Sequence, residues 1–338
     1  MKKISLLLLS FLLLFVTFGQ IPQDYYLAAE GKKQTELKVA LTQIVSKGYV
    51  QRTYNELWTD YKTTDMRPDG KVWDMYSNCT FTFTSSQCGS YKGVCDCYNR
   101  EHSVPKSWFK EGTPMYTDLF HLYPTDGFTN GKRSNYPFGE VSSPTWSGNN
   151  GGKLGKNTFP GYTGTAFEPA DEYKGDFART YFYMCTRYSD VNFTNAEGKT
   201  VFSYNNSNCN LTDFAVALFL KWHRNDPVSE KEINRNNSVY RIQKNRNPFI
   251  DYPELVEHIW GNLKDTPFHS IIPSPVKISK CNGIFIEGVP PNTIVDIYSE
   301  LGQNIYSAPL KDNFISLDHL RPGVYLIKIG GYSEKIVW

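Results

Sequence analysis

The chain has 338 residues, of which 40% are hydrophobic and 21% charged, with 23 Tyr, 21 Phe and 7 Trp. That length suits two domains plus a targeting segment, and the composition excludes an intrinsically disordered chain. The net charge is +2, and without Lys2 and Lys3 the basic and acidic residues balance at 34 each, so a globally basic nucleic-acid binder is excluded and polyanion binding falls to a local patch or a metal.

Residues 1–19 place two lysines before an apolar run over 4–18, with Thr17 and Gly19 ahead of Gln20. The run is shorter than the roughly 20 residues a membrane span needs. It reads as a cleaved secretory signal peptide. No later stretch is apolar enough to span a bilayer. Residues 20–75 read mostly helical, with Leu37, Ala40, Leu41 and Ile44 at one-face spacing.

Export makes disulfides possible. Four of the seven cysteines, Cys79, Cys88, Cys95 and Cys97, fall within 19 residues rich in Ser, Thr and Gly. Their spacing lacks the paired C-x₂-C pattern of a zinc site, so cross-linking of a loop-rich segment is expected. Cys88 and Cys97, nine positions apart with Gly89 and Gly93 between them, are expected to pair and to pin the entry to the next strand. The odd count leaves at least one thiol free or paired between chains.

Two polar segments follow, YNREHSVP at 98–105 and DLFHLYPTDGFTNGKRSN at 118–135. Together they offer Glu101, His102, Asn130 and Arg133. Imidazole titrates near neutral pH, so His102 can take a proton from water. Glu101 and the Asn130 carbonyl are oxygen ligands of the kind a largely hydrated Mg²⁺ accepts. Such an ion acts as a Lewis acid on a departing oxygen. On a strand, Glu101 and His102 point to opposite faces. Asn130 falls in a short helix after Thr125 and Asp126, flanked by Gly127 and Gly131, and Gly131 would let a phosphate approach the backbone. A surface Gly-Asn loop with solvated charges is the plain alternative.

Helices are expected over 176–188, through Phe177, Tyr181, Met184, Cys185 and Tyr188, and over 212–222. Another starts at Ser229, where Glu232 completes a capping box. The overall order is α+β. A proline-bearing linker over 269–278 separates domain 20–268 from residues 279–338. There the strand signals at 293–299, 323–329 and 332–338, the last two joined by Gly330-Gly331, predict a small all-β, sandwich-like domain.

Five stretches carry a resemblance: WDMYSNC at 73–79, CYNREHSVPKSWF at 97–109, DLFHLYPTDGFTNGKRSN, FEPADEYKGDFARTYFYM at 167–184 and QKNRNPFIDYPELVEHIW at 243–260. In this order they resemble the bacterial endonuclease I family of secreted nucleases, from about Tyr25 to Trp260. The resemblance implies a ββα-metal, or His-Me finger, core surrounded by helices, with His102 as general base and Glu101 and Asn130 as ligands of Mg²⁺, or of Mn²⁺ or Ca²⁺ in its place. It implies hydrolysis of DNA, with RNA as a further substrate, to 5′-phosphate ends. Phe120 stands where many members have a second histidine. For a phosphate-binding arginine the candidates are Arg133 and Arg179. The tail, with its LRPGVY turn at 320–325, looks like the C-terminal sorting domain of the type IX secretion system. That implies passage through this machinery to the cell surface or medium. Two other functions compete: a secreted phosphodiesterase acting on a polymer that is not nucleic acid, and a non-catalytic surface binding protein on the same scaffold.

Overall fold

The computed structural model describes residues 21–206, 208–269, 277–280, 283–287, 289, 293–311, 313–317, 320–329 and 332–338. The expected signal peptide, most of the linker, Cys281 and the Gly330-Gly331 turn lie outside these. The chain divides into two units, Met1–His269 and Ser270–Trp338. Among the described residues no helix is long and apolar enough to cross a membrane.

The larger unit begins with α1 (Gln34–Ser46) and α2 (Leu57–Thr64). The mostly helical reading of 20–75 is thereby corrected to two shorter helices. Gly48, at φ +71°, turns the chain just beyond α1, and Gly70, at φ +78°, closes the turn after α2 where Met66 bridges Val72. Next come β1 (Tyr98–His102), β2 (Leu122–Asp126) and α3 (Gly127–Arg133). β1 and β2 pair antiparallel, with Glu101 opposite Tyr123 and His102 opposite Leu122. Asp126 caps α3 by accepting from the Thr129 amide at 2.7 Å, a bond worth about 1 kcal/mol at such a position.

Beyond α3, β3 (Pro144–Ser147), β4 (Lys153–Lys156) and β5 (Thr165–Glu168) form one antiparallel sheet. Then follow α4 (Lys174–Arg187), α5 (Ala196–Val201), the hairpin β6 (Phe202–Asn205) and β7 (Asn208–Leu211), and α6 (Asp213–Asn225). The unit closes with α7 (Glu230–Gln243), α8 (Pro248–Asp251) and α9 (Leu255–Ile259).

α4 is the central helix, buried from Gly175 to Arg187. Its aromatic residues Phe177, Tyr181, Phe182 and Tyr183 are fully covered, as expected of a helix enclosed on all sides. Its charges are paired inside the core. Arg187 meets Asp118 at 3.2 Å, and Arg179 makes two bonds to Glu232. Glu232 also completes the expected capping box with Ser229. Asp118 and Gln243, from two motifs of the sequence, are scaffold. Gln243 accepts from the Leu119 amide at 2.7 Å and donates to Asp118 at 3.0 Å, fixing the approach to β2.

The smaller unit has two antiparallel sheets. One is ordered β11-β10-β13-β14, from β10 (Ile294–Ser299), β11 (Asn304–Pro309), β13 (Val324–Ile329) and β14 (Tyr332–Val337). The other is ordered β12-β9-β8, from β8 (Lys277–Lys280), β9 (Ile284–Glu287) and β12 (Phe314–Ile315). Its core is separate and aliphatic, including Ile284, Ile286, Val295, Ile297, Ile327 and Ile329.

Candidate active site

β1 alternates, and the site follows from that alternation. Asn99 and Glu101 share one face; Arg100 and His102 share the other. Glu101 is 3% exposed. Its Oε1 accepts from the Tyr76 hydroxyl at 2.9 Å and lies 3.3 Å from Nη1 of Arg133. Burial pushes its carboxyl up to about 7, against the pull of Arg133 and Tyr76. Both partners use Oε1, which leaves Oε2 outside these bonds. Across the same face, Nδ2 of Asn130 donates to Oδ1 of Asn99 at 2.7 Å. The amide nitrogen is thereby committed, and Oδ1 of Asn130 is the end left to accept a cation.

These donors fit Mg²⁺. They are hard oxygens, one of them anionic, and an ion that keeps several waters needs few protein ligands. Among the described residues no three His, Cys, Asp or Glu side chains gather to hold a metal. Glu101 and Asn130 are the residues that would hold it.

On the opposite face His102 is 5% exposed and stacks on Tyr116, with ring centroids 5.0 Å apart. Tyr116 stacks in turn on Tyr54 at 4.8 Å. Nε2 of His102 lies 3.0 Å from the Tyr116 carbonyl. A carbonyl only accepts, so Nε2 carries the proton and Nδ1 keeps its lone pair. Burial, then the nearby His121, hold the ring well below the ordinary histidine range and therefore neutral. His121 sits 5.4 Å away, fully buried, with Nε2 on the Met115 carbonyl at 2.7 Å. Phe120, at the position of the second histidine, packs into the core 4.7 Å from Tyr183.

Three expectations are corrected. Arg133 is 1% exposed and spends its guanidinium on Glu101 and on the carbonyls of His102 and Ser103. Arg179 is fully buried between Glu232 and the Asp226 carbonyl. Neither is open to a phosphate. The space above Gly131 is also taken. A Cβ there would stand 2.7 Å from the Tyr91 hydroxyl, and one on Gly127 would stand 2.6 Å from the same ring. The glycines of α3 admit Tyr91, not a ligand.

Tyr91 belongs to the loop closed by Cys79–Cys95 and Cys88–Cys97. The expected Cys88–Cys97 pair is thus present. The loop is tied to the β2–α3 junction by the Cys95 amide on Asp126 at 2.8 Å and the Gly127 amide on the Cys97 carbonyl at 2.9 Å. Cys185 and Cys209 are buried free thiols.

Sequence reasoning passed over Asn99, Arg100, Tyr54, Tyr76 and Tyr116. The period-2 alternation through YNREH contained the signal for the first two.

The Endonuclease I family matches residues 33–254. An extracellular ribonuclease of Bacillus amyloliquefaciens is 34% identical over 249 residues, covering 70% of this chain and 78% of that protein. An Endonuclease-1 of Buchnera aphidicola subsp. Baizongia pistaciae is 31% identical over 134 residues, 40% of this chain and 46% of its own length. A periplasmic deoxyribonuclease of Aeromonas hydrophila is 28% identical over 143 residues, 42% and 50% of the two chains. The family match takes in the β1-β2-α3 site and spans more than half of the sequence; the chain belongs to the Endonuclease I family of nucleases.

Proposed function

We propose that this nuclease is an exported, metal-dependent endonuclease that hydrolyses phosphodiester bonds in DNA and RNA and leaves 5′-phosphate ends. The observation that carries the reading is the His102–Tyr116 bond of 3.0 Å, which leaves Nδ1 basic on a ring that burial keeps neutral. Nδ1 takes a proton from a water whose oxygen attacks phosphorus. The P–O bond to the water forms, the P–O3′ bond breaks, and the departing O3′ is protonated from solvent. Glu101 and Asn130 would hold Mg²⁺, or Mn²⁺ or Ca²⁺ in its place, and the ion would supply Lewis-acid stabilisation of the charge that develops on the departing oxygen. Arg133 and Tyr76 hold the Glu101 carboxyl in place. Relatives named for RNA and for DNA support a site indifferent to the sugar. The leader-like residues 1–19, and relatives named extracellular and periplasmic, support export. The β1-β2-α3 order supports the His-Me finger assignment. For the smaller unit we infer a type IX sorting role, supported by its separate core and the LRPGVY turn.

The test is incubation of the purified mature chain with supercoiled DNA and with RNA, with and without a chelator. Cleavage of both that chelation abolishes is expected. Intact substrates with Mg²⁺ present overturn the reading.

A further inference from the structure

The two proposed metal ligands come from different elements, Glu101 from β1 and Asn130 from α3. Mg²⁺ demands near-ideal octahedral geometry, so their oxygens have to stand at a fixed separation. One side chain from outside both elements touches the supports of both. Asp74 is buried just ahead of the cystine loop, and among the described residues it makes no ion pair.

Three donors surround its carboxyl. Oδ1 accepts from the Tyr76 amide at 2.8 Å. Oδ2 accepts from the Asp126 amide at 3.1 Å and from the Ser77 hydroxyl. A buried carboxyl without a base is costly unless such donors meet it. Two of the three lead to the metal face. Tyr76 carries the hydroxyl that donates to Glu101 at 2.9 Å. Asp126 caps α3, its side chain accepting from the amide and the hydroxyl of Thr129, each at 2.7 Å. Asn130 is the next residue. The third donor, Ser77, accepts from the Cys79 amide at 3.1 Å, which joins Asp74 to the Cys79–Cys95 bridge.

Arg133, from α3, restrains Glu101 on one side, and Tyr76 restrains it on another. The Tyr76 support leads back to Asp74, as does the start of α3. Asp74 itself bonds neither ligand.

We propose that Asp74 is a positioning residue that sets the separation of the two metal ligands, holding Glu101 through Tyr76 and Asn130 through the Asp126 amide. The assignment rests on the metal reading of Glu101 and Asn130 above.

The test measures Mn²⁺ binding to the full mature chain by calorimetry without substrate, with thermal melts in chelator and at one fixed Mn²⁺ concentration. Asp74→Asn keeps the shape and can still accept from Tyr76, but its Nδ2 is a donor where the Asp126 amide needs an acceptor. It should weaken the Mn²⁺ Kd about tenfold, the lower end of what losing a group behind a metal ligand costs. Tyr76→Phe, which removes the hydroxyl alone, should weaken it by a similar factor. The double variant should lose less than the product of the two, because part of the Asp74 effect runs through Tyr76. The rise in Tm that Mn²⁺ produces should shrink in step with Kd. A residue that only stabilises the fold would lower the melt in chelator and leave Kd unchanged.

If Asp74→Asn folds and binds Mn²⁺ within twofold of wild type, the Asp74 assignment is overturned while the metal reading stands. A double variant that loses the full product overturns the route through Tyr76. If Asp74→Asn does not fold, Ser77→Ala takes its place: it removes one donor from the same carboxyl and should weaken Kd about 3- to 10-fold, and wild-type affinity there overturns the assignment. If wild type itself binds no Mn²⁺, the metal reading falls and Asp74 falls with it.

Discussion

Nδ2 of Asn130 donates to Oδ1 of Asn99 across 2.7 Å, and this one bond decides which end of the Asn130 amide can meet a cation. An amide that turned freely would present nitrogen as readily as oxygen. Asn99 is thus a positioning residue for the proposed metal ligand. Asn99→Leu should weaken Mn²⁺ affinity, measured by calorimetry without substrate, toward the level of Asn130→Ala. Asn99→Asp keeps an acceptor at the same place and should retain wild-type affinity or exceed it. Equal metal affinity in wild type, Asn99→Leu and Asn130→Ala would remove both residues from the metal site.

His102 is fixed by a backbone carbonyl that no side-chain substitution can remove, so its role is tested on the ring itself. His102→Ala should lower plasmid nicking by about 10²–10⁴-fold, the usual cost of a positioned general base. Circular dichroism checks the fold, because the ring also stacks on Tyr116. His102→Gln fills more of that space and should be equally inactive. Either variant nicking at more than roughly a tenth of the wild-type rate would reject His102 as base.

Much of this site was legible in order along the chain, and less so in depth. The α4 core stripe, the Ser229 cap and the opposed faces of Glu101 and His102 all depend on local period or local spacing, which sequence displays directly. The arginines misled because a guanidinium reads the same on a surface as in a buried pair. Arg179 finds Glu232, and Arg133 finds Glu101, only through tertiary contact. Gly131 misled for the same reason, since its neighbour Tyr91 arrives on a loop 40 positions earlier that the disulfides hold in place. The Tyr116 carbonyl that sets the His102 tautomer is backbone, and backbone has no sequence signature.

The Cys88–Cys97 bridge closes a nine-position loop whose far end enters β1. Its removal as Cys88→Ser with Cys97→Ser should lower stability by roughly 2–3 kcal/mol in the chain-entropy account. Denaturant unfolding measures this. Peptide mapping of the exported protein without reduction should recover 88 joined to 97 and 79 joined to 95. Either cysteine of the first pair found as a free thiol contradicts the structure.

His223 should make the protein acid-sensitive. Burial, reinforced by Arg179, lowers it from 6.5 to about 4. Its Nδ1 lies 3.4 Å from Nη1 of Arg179, a contact that suits a neutral ring accepting from the guanidinium. Between these two values the unfolded chain binds a proton there and the folded chain does not, so stability falls as pH falls from about 6.5 to about 4. His121, also lowered to about 4, adds in the same direction. His223→Asn retains an acceptor for Arg179 and cannot charge. The slope of unfolding free energy against pH should then shrink by up to about 1.4 kcal/mol per pH unit. Parallel profiles for variant and wild type would place the acid sensitivity elsewhere.

The last prediction concerns the smaller unit. The nuclease unit closes on itself before that unit begins. The Gly31 amide donates to the Phe268 carbonyl at 2.8 Å, and the Phe268 amide returns a bond to the Lys32 carbonyl at 2.8 Å. Phe268 is fully buried in the nuclease core, and His269 faces Glu30 at 3.5 Å. The core of the smaller unit contains none of these residues. A chain stopped after His269 keeps this clasp, so it should fold and cleave DNA in vitro at nearly the full-length rate. A stop before Phe268 should cost stability, since it removes two backbone bonds and a buried ring. If residues 1–19 act as the proposed leader, the chain ending at His269 should collect in the periplasm of its native cell, having crossed the inner membrane without the tail. Fractionation without lysis decides the point. Truncated enzyme that still reaches the surface or medium would show that the tail does not direct export, and a substrate-binding role would then be the better account of its fold.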